Sequence, residues 1–319
     1  MSKKKSKIEF MREFAVPAFL LLTAVFAGAP ENCFAEERGS AAAILSSDIK
    51  PYRQALEGFN NSLAEKNAGI RVSQYNLAAQ GAKYVLEQVR SKKTDVIFAV
   101  GTDAAILVKD NIKDIPAVFA VVLKPETIMG SNVTGVSMDV PAAMKIGKIR
   151  EIFPGLKKAG VIYSPESVSI YKEMSLACDD AGIQLLAVKI NQEKDFSEAF
   201  KSISWKIELL VMIPDTRLYR KKELIEYLLQ DCLADKLPVI GLSSYYTKGG
   251  ALISFDCDYE DMGRQAGETA KSMMDGEKPE NIQIAKPRKI KYSLNLAIAE
   301  NLNLQMSPDI IDGASEVFK

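Results

Sequence analysis

The chain has 319 residues with 41 basic and 41 acidic side chains, so its formal charge is zero. Hydrophobic residues make up 47% and charged residues 26%, which is ordinary for a globular protein. No basic field favours nucleic acid, and no basic amphipathic helix favours a membrane surface. The chain contains no histidine, which excludes Ser-His-Asp catalysis, Cys-His catalysis and histidine metal sites.

A basic stretch followed by a short apolar segment opens the chain. The apolar segment, residues 15–29, has the length of a signal-peptide core and is short for a membrane span. Small residues at Cys33 and Ala35 predict cleavage after Ala35, so residues 1–35 are predicted to be a signal peptide. The mature protein is then periplasmic or otherwise exported. An uncleaved anchor is the alternative, whereas the sequence before Cys33 does not resemble the apolar run that lipidation requires.

Strands then alternate with helices, which predicts parallel sheets covered on both faces. The first five strands are predicted at residues 41–45, 71–76, 96–100, 117–122 and 134–137. Between the first two strands, Tyr52, Leu56, Phe59 and Leu63 recur at helical spacing. Further helices are predicted over residues 82–89 and after Gly101.

A helix that opens at Pro141 and ends near Ile152 leads into a second set of elements. Its predicted strands are residues 159–163, 184–189, 209–213, 239–242 and 252–255, with a strand-like stretch over 282–292. Its predicted helices are residues 170–181, 196–204, 221–233, 259–274 and 294–301. A turn is predicted at the carboxyl terminus.

The end of the strand at residues 96–100 is a candidate ligand site. Gly101 ends the apolar run, and Thr102 or Asp103 can cap a helix that begins near Ala104. Backbone N–H groups and the positive end of the helix dipole converge there, which favours a small polar or anionic ligand. The alternative is that both side chains only cap the helix.

The same arrangement occurs twice in the chain. Residues 42–48 resemble 160–166, and residues 135–149 resemble 252–266. The Asp-Thr pair at Asp215 follows a second apolar strand as Asp103 follows the first. An offset of about 115–120 residues is the size of one domain. We therefore predict two similar α/β lobes with Ser, Thr and Asp at their strand ends.

Motifs for catalysis or cofactor binding are missing from the sequence. There is no Walker loop, no GxGxxG dinucleotide fingerprint and no nucleophile elbow. After cleavage, Cys178, Cys232 and Cys257 remain, and we interpret them as buried small hydrophobes. The sequence therefore favours a binding protein without cofactors, with its ligand held between lobes that close about a hinge. An enzyme that uses carboxylates is the residual alternative.

Several motifs resemble those of one family. ALEGF at 55–59, GTDAA at 101–105, NVTGVSMDVP at 132–141 and IFPGLKKAGVIYSPES at 152–167 are similar to ABC-transporter substrate-binding proteins, some of which bind aromatic or other amino acids. The resemblance covers about 41–318. It implies a type I periplasmic binding fold, with two Rossmann-like lobes of parallel sheets joined by a three-segment hinge. Lobe 1 would comprise residues 36–138 and 257–280, and lobe 2 residues 139–256 and 281–319.

The resemblance also implies a ligand cleft between the lobes. Thr102 with the adjacent N–H groups suits a ligand carboxylate, and Asp215 suits an ammonium group. Asp215 is equally compatible with capping a helix. The implied cleft residues are Ser46, Ser47, Thr102, Asp103, Lys124 and Ser137 in lobe 1, and Tyr163, Ser164, Glu166, Asp215, Thr216, Ser243 and Ser244 in lobe 2.

Two departures from the family pattern bear on the ligand. Lys124 and Ser243 stand where the family often has Asp. A ligand more negative than a simple amino acid is expected if Lys124 faces the cleft, and the alternative is that Lys124 points to solvent. Tyr52, Tyr245 and Tyr246 can supply an aromatic wall or serve only as packing.

Two functions are consistent with these expectations. In the first, the protein delivers a small polar ligand, an amino acid or a small anion, to a membrane ABC permease. In the second, it is a sensory receptor whose closed form presses on a membrane kinase or chemoreceptor. In both we expect a monomer that binds a small molecule and no nucleic acid.

Overall fold

The computed structural model describes residues 39–65, 69–215, 217–219 and 221–319. Lobe 1 is built on a five-stranded parallel sheet of order β2-β1-β3-β4-β5. Its strands are β1 Gly39–Leu45, β2 Ile70–Asn76, β3 Val96–Val100, β4 Ala117–Val122 and β5 Val133–Ser137. Strands β3 and β4 are fully buried, as their continuous apolar sequence predicts for central strands covered on both faces.

Helices cover both faces of the lobe 1 sheet. Helix α1 (Lys50–Glu65) packs on one face, where Phe59 stacks on Phe98 of β3 with ring centroids 4.3 Å apart. The other α-helices between these strands are α2 (Leu77–Gln80), α3 (Ala82–Ser91) and α4 (Thr102–Asn111). Helices α3 and α4 pack on the other face of the sheet.

Lobe 2 is built on a seven-stranded sheet of order β12-β11-β10-β9-β8-β6-β7. The pairing is parallel except between β10 and β11, which are antiparallel. The strands are β6 Lys158–Tyr163, β7 Gln184–Lys189, β8 Leu209–Val211, β9 Val239–Gly241, β10 Ile253–Cys257, β11 Ile290–Asn295 and β12 Glu316–Phe318.

The helices of lobe 2 also form two layers. Helices α5, α6, α11 and α12 contribute to one apolar cluster, and α7 and α8 contribute to the cluster on the opposite face. Their bounds are α5 Ala142–Ile152, α6 Val168–Asp180, α7 Phe196–Ile203, α8 Lys222–Ala234, α9 Ser244–Lys248, α11 Leu296–Asn301 and α12 Pro308–Asp312.

Helix α10 (Tyr259–Met274) follows β10 of lobe 2 but packs in lobe 1 against α1. The two helices touch backbone to backbone, since a Cβ on Gly263 would lie 1.9 Å from the Ala55 carbonyl oxygen. A Cβ on Gly58 would lie 1.8 Å from the Glu260 carbonyl oxygen. The chain therefore passes between the lobes three times: from β5 to α5, from β10 to α10, and from α10 to β11.

The third crossing stays with lobe 1 before it reaches β11. The Ala285 N–H donates to the Gly135 carbonyl at 2.9 Å, and the Ser137 N–H donates to the Ala285 carbonyl at 2.9 Å. Residues 282–285 thus run beside β5, beyond residue 280, where the sequence analysis ends the second segment of lobe 1. The residue boundaries of the lobes stay a prediction.

Two predicted elements at the carboxyl-terminal end are wrong in detail. The stretch over residues 282–292 is not one strand, because β11 begins only at Ile290. Pro287 precedes it and has no N–H to donate to a ladder. The predicted carboxyl-terminal turn instead contains α12 and the edge strand β12, which pairs with β11.

Candidate functional site

The crossings bring the carboxyl ends of both sheets together. Strand β5 ends at Ser137, and α5 begins five residues later at Ala142. Helix α5 then returns to the start of β6, so its first turn is level with the end of β6. Strand β10 ends at Cys257 and passes at once into α10. The ends of β5 and β10 therefore lie side by side, with the Cys257 thiol 3.3 Å from the Met138 carbonyl oxygen, and the carboxyl ends of parallel strands are where α/β sheets bind ligands.

In lobe 1, Ser46 joins the ends of β1 and β3. Its hydroxyl donates to the Val100 carbonyl at 3.0 Å and accepts from the Ala104 N–H at 2.9 Å. The prediction that Thr102 or Asp103 caps α4 is wrong, because Gly101 is the N-cap residue and makes no side-chain bond. A serine 58 residues earlier in the chain supplies the acceptor instead.

This arrangement leaves the first N–H groups of α4 open. Within the described part of the chain, the N–H groups of Thr102 and Asp103 donate no hydrogen bond. Both lie at the positive end of the helix dipole. Thr102 is half-buried, and Asp103 is exposed. The end of β3 thus offers unused donors to an acceptor or anion.

Tyr52 lies directly against this strand end. Gly101 has φ +89°, and a Cβ there would lie 2.6 Å from both the Ser46 hydroxyl oxygen and the Tyr52 phenol oxygen. Burial, and then the Asp103 carboxylate, raise the pKa of Tyr52. The phenol therefore stays protonated at neutral pH, and the structure places one predicted aromatic-wall residue at the candidate site.

The other predicted residues of lobe 1 lie at strand ends with different exposures. Ser137 is buried, and its hydroxyl accepts from the Asp139 N–H at 3.3 Å. Lys124 is exposed and forms no ion pair with any described residue. It follows an irregularity in β4, where Val121 has φ +59°. A positive φ is rare for a β-branched residue, so the end of β4 is bent away from regular strand geometry. Ser47 is half-buried.

In lobe 2, the Asp215 carboxylate joins the ends of β6 and β8. One oxygen accepts from the N–H groups of Arg217 and Leu218 at 2.9 and 3.1 Å. The other accepts from the Ser164 N–H at 3.0 Å and from the Ser167 hydroxyl. Burial alone would raise the pKa of Asp215, but hydrogen bonds from Ser167, Ser164 and the two following N–H groups lower it below the ordinary value.

An ion pair lies beside this carboxylate. The Arg217 guanidinium contacts one carboxylate oxygen of Glu166 at 3.0 and 3.2 Å and donates to the Asn191 carbonyl at 3.2 Å. Glu166 was predicted from the sequence, whereas Arg217 and Ser167 were not. The only local signal for Arg217 is its position two residues after Asp215, since its partner is 51 residues away.

The remaining predicted residues of lobe 2 differ in their contacts and in their exposure. The Tyr163 ring stacks on Tyr171 with centroids 4.2 Å apart. Ser243 is the N-cap residue of the short helix α9 but makes no side-chain bond, and Ser244 is half-buried. Thr216 lies outside the described residues. Tyr245 is exposed, and its ring meets Tyr246 edge to face.

Polar contacts that were not predicted from the sequence connect the three crossings. The Glu173 carboxylate accepts from the Ala142 N–H at 3.2 Å and pairs with Lys286 at 3.0 Å. The Cys257 thiol donates to the Met138 carbonyl at 3.3 Å. Contacts among all three crossings thus lie beside the candidate site, from residues far apart in sequence.

The charges around these contacts have shifted pKa values. Burial lowers the pKa of Lys145. Partial burial raises the pKa of Asp139, with further increases from Glu126 and Glu173 and an opposing effect from Lys286. Asp139 makes no ion pair with a described residue. It therefore offers a destabilised carboxylate at the first crossing.

The described residues contain neither a membrane-spanning helix nor a metal-binding cluster. None of the helices over the described ranges combines the length and apolarity needed to cross a bilayer. No group of three or more His, Cys, Asp or Glu side chains in this part of the chain is arranged to hold a metal ion. The predicted signal peptide lies outside the described residues.

Comparisons with known proteins identify relatives over most of the chain. The family described as ABC transporter substrate binding protein matches residues 42–318. A tyrosine-binding protein of Clostridioides difficile (strain R20291) is 24% identical over 79% of this chain and 77% of its own length. A ligand-free, open substrate binding protein with adhesive properties from Clostridium difficile is 22% identical, covers 88% of this chain and 99% of its own, and has a TM-score of 0.68.

A second solved structure is that of an ABC domain in complex with L-Trp from Streptococcus pneumonia. It is 18% identical, covers 88% of this chain and 100% of its own, and has a TM-score of 0.54. These similarities confirm the predicted type I periplasmic binding fold. The matched family consists of solute-binding proteins rather than enzymes, which confirms the prediction of a binding protein.

Proposed function

We propose that this chain, which belongs to the ABC transporter substrate binding protein family, is exported and carries a small polar ligand to a membrane ABC permease. The observation that carries the proposal is the pair of open N–H groups at Thr102 and Asp103, at the carboxyl end of β3. Such donors at a helix amino terminus suit a carboxylate or another small anion.

An amino acid is the ligand class that we favour. Its carboxylate would accept from the N–H groups of Thr102 and Asp103 and from the Thr102 hydroxyl. Its ammonium group would lie near Asp139, whose pKa is raised by partial burial against the opposing charges of Lys286 and Lys145. The ring of Tyr52 would pack against an aromatic side chain. The relatives named for tyrosine and L-Trp support this class.

A small anion without an ammonium group is the alternative ligand. Lys124 supports it, because this exposed ammonium lies at the end of β4, next to the strand that carries Thr102. In either case we propose that residues 1–35 are removed after Ala35 and that the mature protein is a periplasmic or otherwise exported monomer.

A thermal-shift panel tests the ligand class. Purified mature protein would be screened against the twenty amino acids, deaminated analogues of tyrosine and tryptophan, small organic acids and sugars. A ligand at a hundred times its dissociation constant stabilises the fold by about 2.7 kcal/mol. We expect shifts with aromatic amino acids, and shifts confined to organic acids would favour the anion alternative. Shifts with neither class would contradict the proposed ligand site.

A pair of variants tests the location of the site. Thr102→Val removes the hydroxyl at the start of α4 and should weaken binding of the ligand found in the panel about tenfold, as expected for a lost hydrogen bond of about 1.4 kcal/mol. Thr269→Val is the matched control, because the Thr269 hydroxyl only bonds back to the Gln265 carbonyl within α10. Equal affinities of the two variants would exclude Thr102 from the site.

The partner requires a separate test. The ligand-loaded protein should stimulate the ATPase activity of a reconstituted permease whose genes neighbour its own. Stimulation of a membrane kinase, with no effect on the permease, would favour the sensory alternative.

A further inference from the structure

Asp215 has no unused acceptor site in its carboxylate. An ionised carboxylate offers about four lone-pair directions, and four donors occupy them. These are the N–H groups of Ser164, Arg217 and Leu218 and the hydroxyl of Ser167. Every donor belongs to lobe 2. The side chain is also buried, with 7% of the residue exposed.

These bonds connect two turns that face the candidate site. Ser164 and Ser167 bracket the 3-10 turn after β6, which carries Glu166. Arg217 and Leu218 lie in the turn after β8. Without the carboxylate, three backbone N–H groups at this edge would lose an acceptor that they share. The position of the Glu166–Arg217 ion pair depends on the same two turns.

We infer that Asp215 is a positioning residue, which holds the two ligand-facing turns of lobe 2 in register and does not itself contact the ligand. The binding measurements that test this inference rest on the proposed function. A ligand ammonium could reach this carboxylate only by displacing a donor that lobe 2 already supplies. The lowered pKa is consistent with this role, because the donors keep the carboxylate ionised without a cation.

A cycle of protein and ligand changes separates positioning from direct contact. Asp215→Asn places an amide NH₂ against N–H or O–H donors, so the two turns should shift. Affinity would be measured by calorimetry for tyrosine and for 3-(4-hydroxyphenyl)propionate, which lacks the ammonium group. We expect the variant to weaken both ligands by the same factor, within about twofold. A penalty at least tenfold larger for tyrosine would overturn the inference, because it would place the ammonium on Asp215.

Hydrogen exchange supplies a readout that needs no ligand. In Asp215→Asn, the amides of Ser164, Arg217 and Leu218 should exchange at least tenfold faster than in the parent protein. Ser167→Ala keeps the charge but removes both a donor to Asp215 and a second acceptor of the Ser164 N–H at 3.2 Å, so it should speed exchange at Ser164 more than at Arg217. Ser202→Ala is the matched control, since its hydroxyl only bonds to the Ala199 carbonyl within α7. Unchanged exchange at Ser164, Arg217 and Leu218 in both test variants would overturn the inference.

The two experiments also separate this inference from the proposed function. If the parent protein binds neither tyrosine nor its deaminated analogue, the proposed ligand class fails while the exchange measurements still decide the role of Asp215. If Asp215→Asn does not fold, Ser167→Ala carries both the binding cycle and the exchange test. A tyrosine-specific loss in Ser167→Ala would then contradict positioning.

Discussion

The two lobes join equivalent strand ends with different chemistry. In lobe 1 the hydroxyl of Ser46 joins β1 to the start of α4, and in lobe 2 the carboxylate of Asp215 joins the turns after β6 and β8. The hydroxyl satisfies one N–H of α4 and leaves those of Thr102 and Asp103 open. The carboxylate of Asp215 accepts hydrogen bonds from four donors. The end of β3 in lobe 1 therefore presents unused donors, whereas at the ends of β6 and β8 in lobe 2 the Asp215 carboxylate is already saturated by donors of its own lobe.

This difference predicts that lobe 1 binds the ligand's anionic group, whereas Asp215 in lobe 2 fixes the position of nearby turns. The open N–H groups of Thr102 and Asp103 are preorganised donors, which would exchange water for the acceptor atoms of an anionic group. If Asp215 is a positioning residue, its saturated carboxylate gains nothing from a ligand but fixes the shape of the two turns that it connects. Preorganisation of this kind lowers the ordering cost of binding. The predictions that follow test whether the two edges differ in this way.

The largest expected effect comes from Gly101→Ala in lobe 1. The substitution forces a side chain into a backbone with φ +89° and places its Cβ 2.6 Å from Ser46 and Tyr52. Backbone strain and overpacking together should lower the free energy of unfolding by about 3 kcal/mol or more. The measurement is urea denaturation, with ligand binding as a second readout.

Gly81→Ala is the matched control for this substitution. Gly81 has φ +80°, and a Cβ there would meet nothing within 4 Å. It should show the backbone cost alone, about 1–3 kcal/mol. Equal losses in the two variants would mean that the contact of Gly101 with Ser46 and Tyr52 does not organise the lobe 1 edge.

The next effect is that of Ser46→Ala. The change leaves the buried Ala104 N–H without its acceptor and removes the bond to the Val100 carbonyl. An unpaired buried donor costs about 1–3 kcal/mol, and the free energy of unfolding should fall by that amount. Ser91→Ala should be nearly neutral, because the Ser91 hydroxyl is exposed and bonds only within its own helix. A neutral Ser46→Ala would show that water replaces the hydroxyl at this edge.

Much of the fold follows from local sequence patterns. The buried run at Val96–Val100 and the amphipathic helix at Tyr259–Met274 have the predicted bounds, because apolar periodicity reports burial directly. That α10 packs in lobe 1 came from the family resemblance and not from periodicity, since a helix pattern does not say which sheet it covers. The close contact of α10 with α1 instead depends on glycines in both helices.

The site was predicted less well, because its contacts span long distances in the chain. Capping rules favoured Thr102 or Asp103, yet Ser46 supplies the acceptor from 58 residues away. Asp215 was expected either to contact a ligand or to cap a helix, and its contact with a ligand stays a prediction, but its donors from Ser164 and Ser167, about 50 residues earlier, were not foreseen. Local rules identify which residues lie at strand ends. They cannot say whether a neighbouring strand end has already satisfied them.

The pH dependence of the free energy of unfolding should distinguish the carboxylate of Asp215 from the hydroxyl of Ser46. The pKa of Asp215 is lower in the folded state than its ordinary value of 3.8. The ionised carboxylate therefore stabilises the fold above that value, and its contribution is lost as the pH falls through the folded pKa. Ser46 has no charge to lose in this range.

Two stability differences should consequently diverge on acidification. The difference between the parent protein and Asp215→Asn should be constant near neutral pH and shrink below about pH 4. The difference between the parent protein and Ser46→Ala should not change in the same range. Urea denaturation from pH 7 to pH 3 measures both. A constant difference for Asp215→Asn would show that its carboxylate is not selectively stabilised in the folded protein.

The smallest expected effect is that of Glu166→Gln at the outer layer of the lobe 2 edge. Glu166 pairs with Arg217, and both side chains are more than 40% exposed. Exposed ion pairs contribute at most about 1 kcal/mol and are screened by salt. The loss should match that of Glu226→Gln, which breaks an exposed pair with Lys222 on α8. A loss of unfolding free energy above about 2 kcal/mol would mean that the exposed Glu166–Arg217 pair, and not only Asp215, stabilises the turns after β6 and β8.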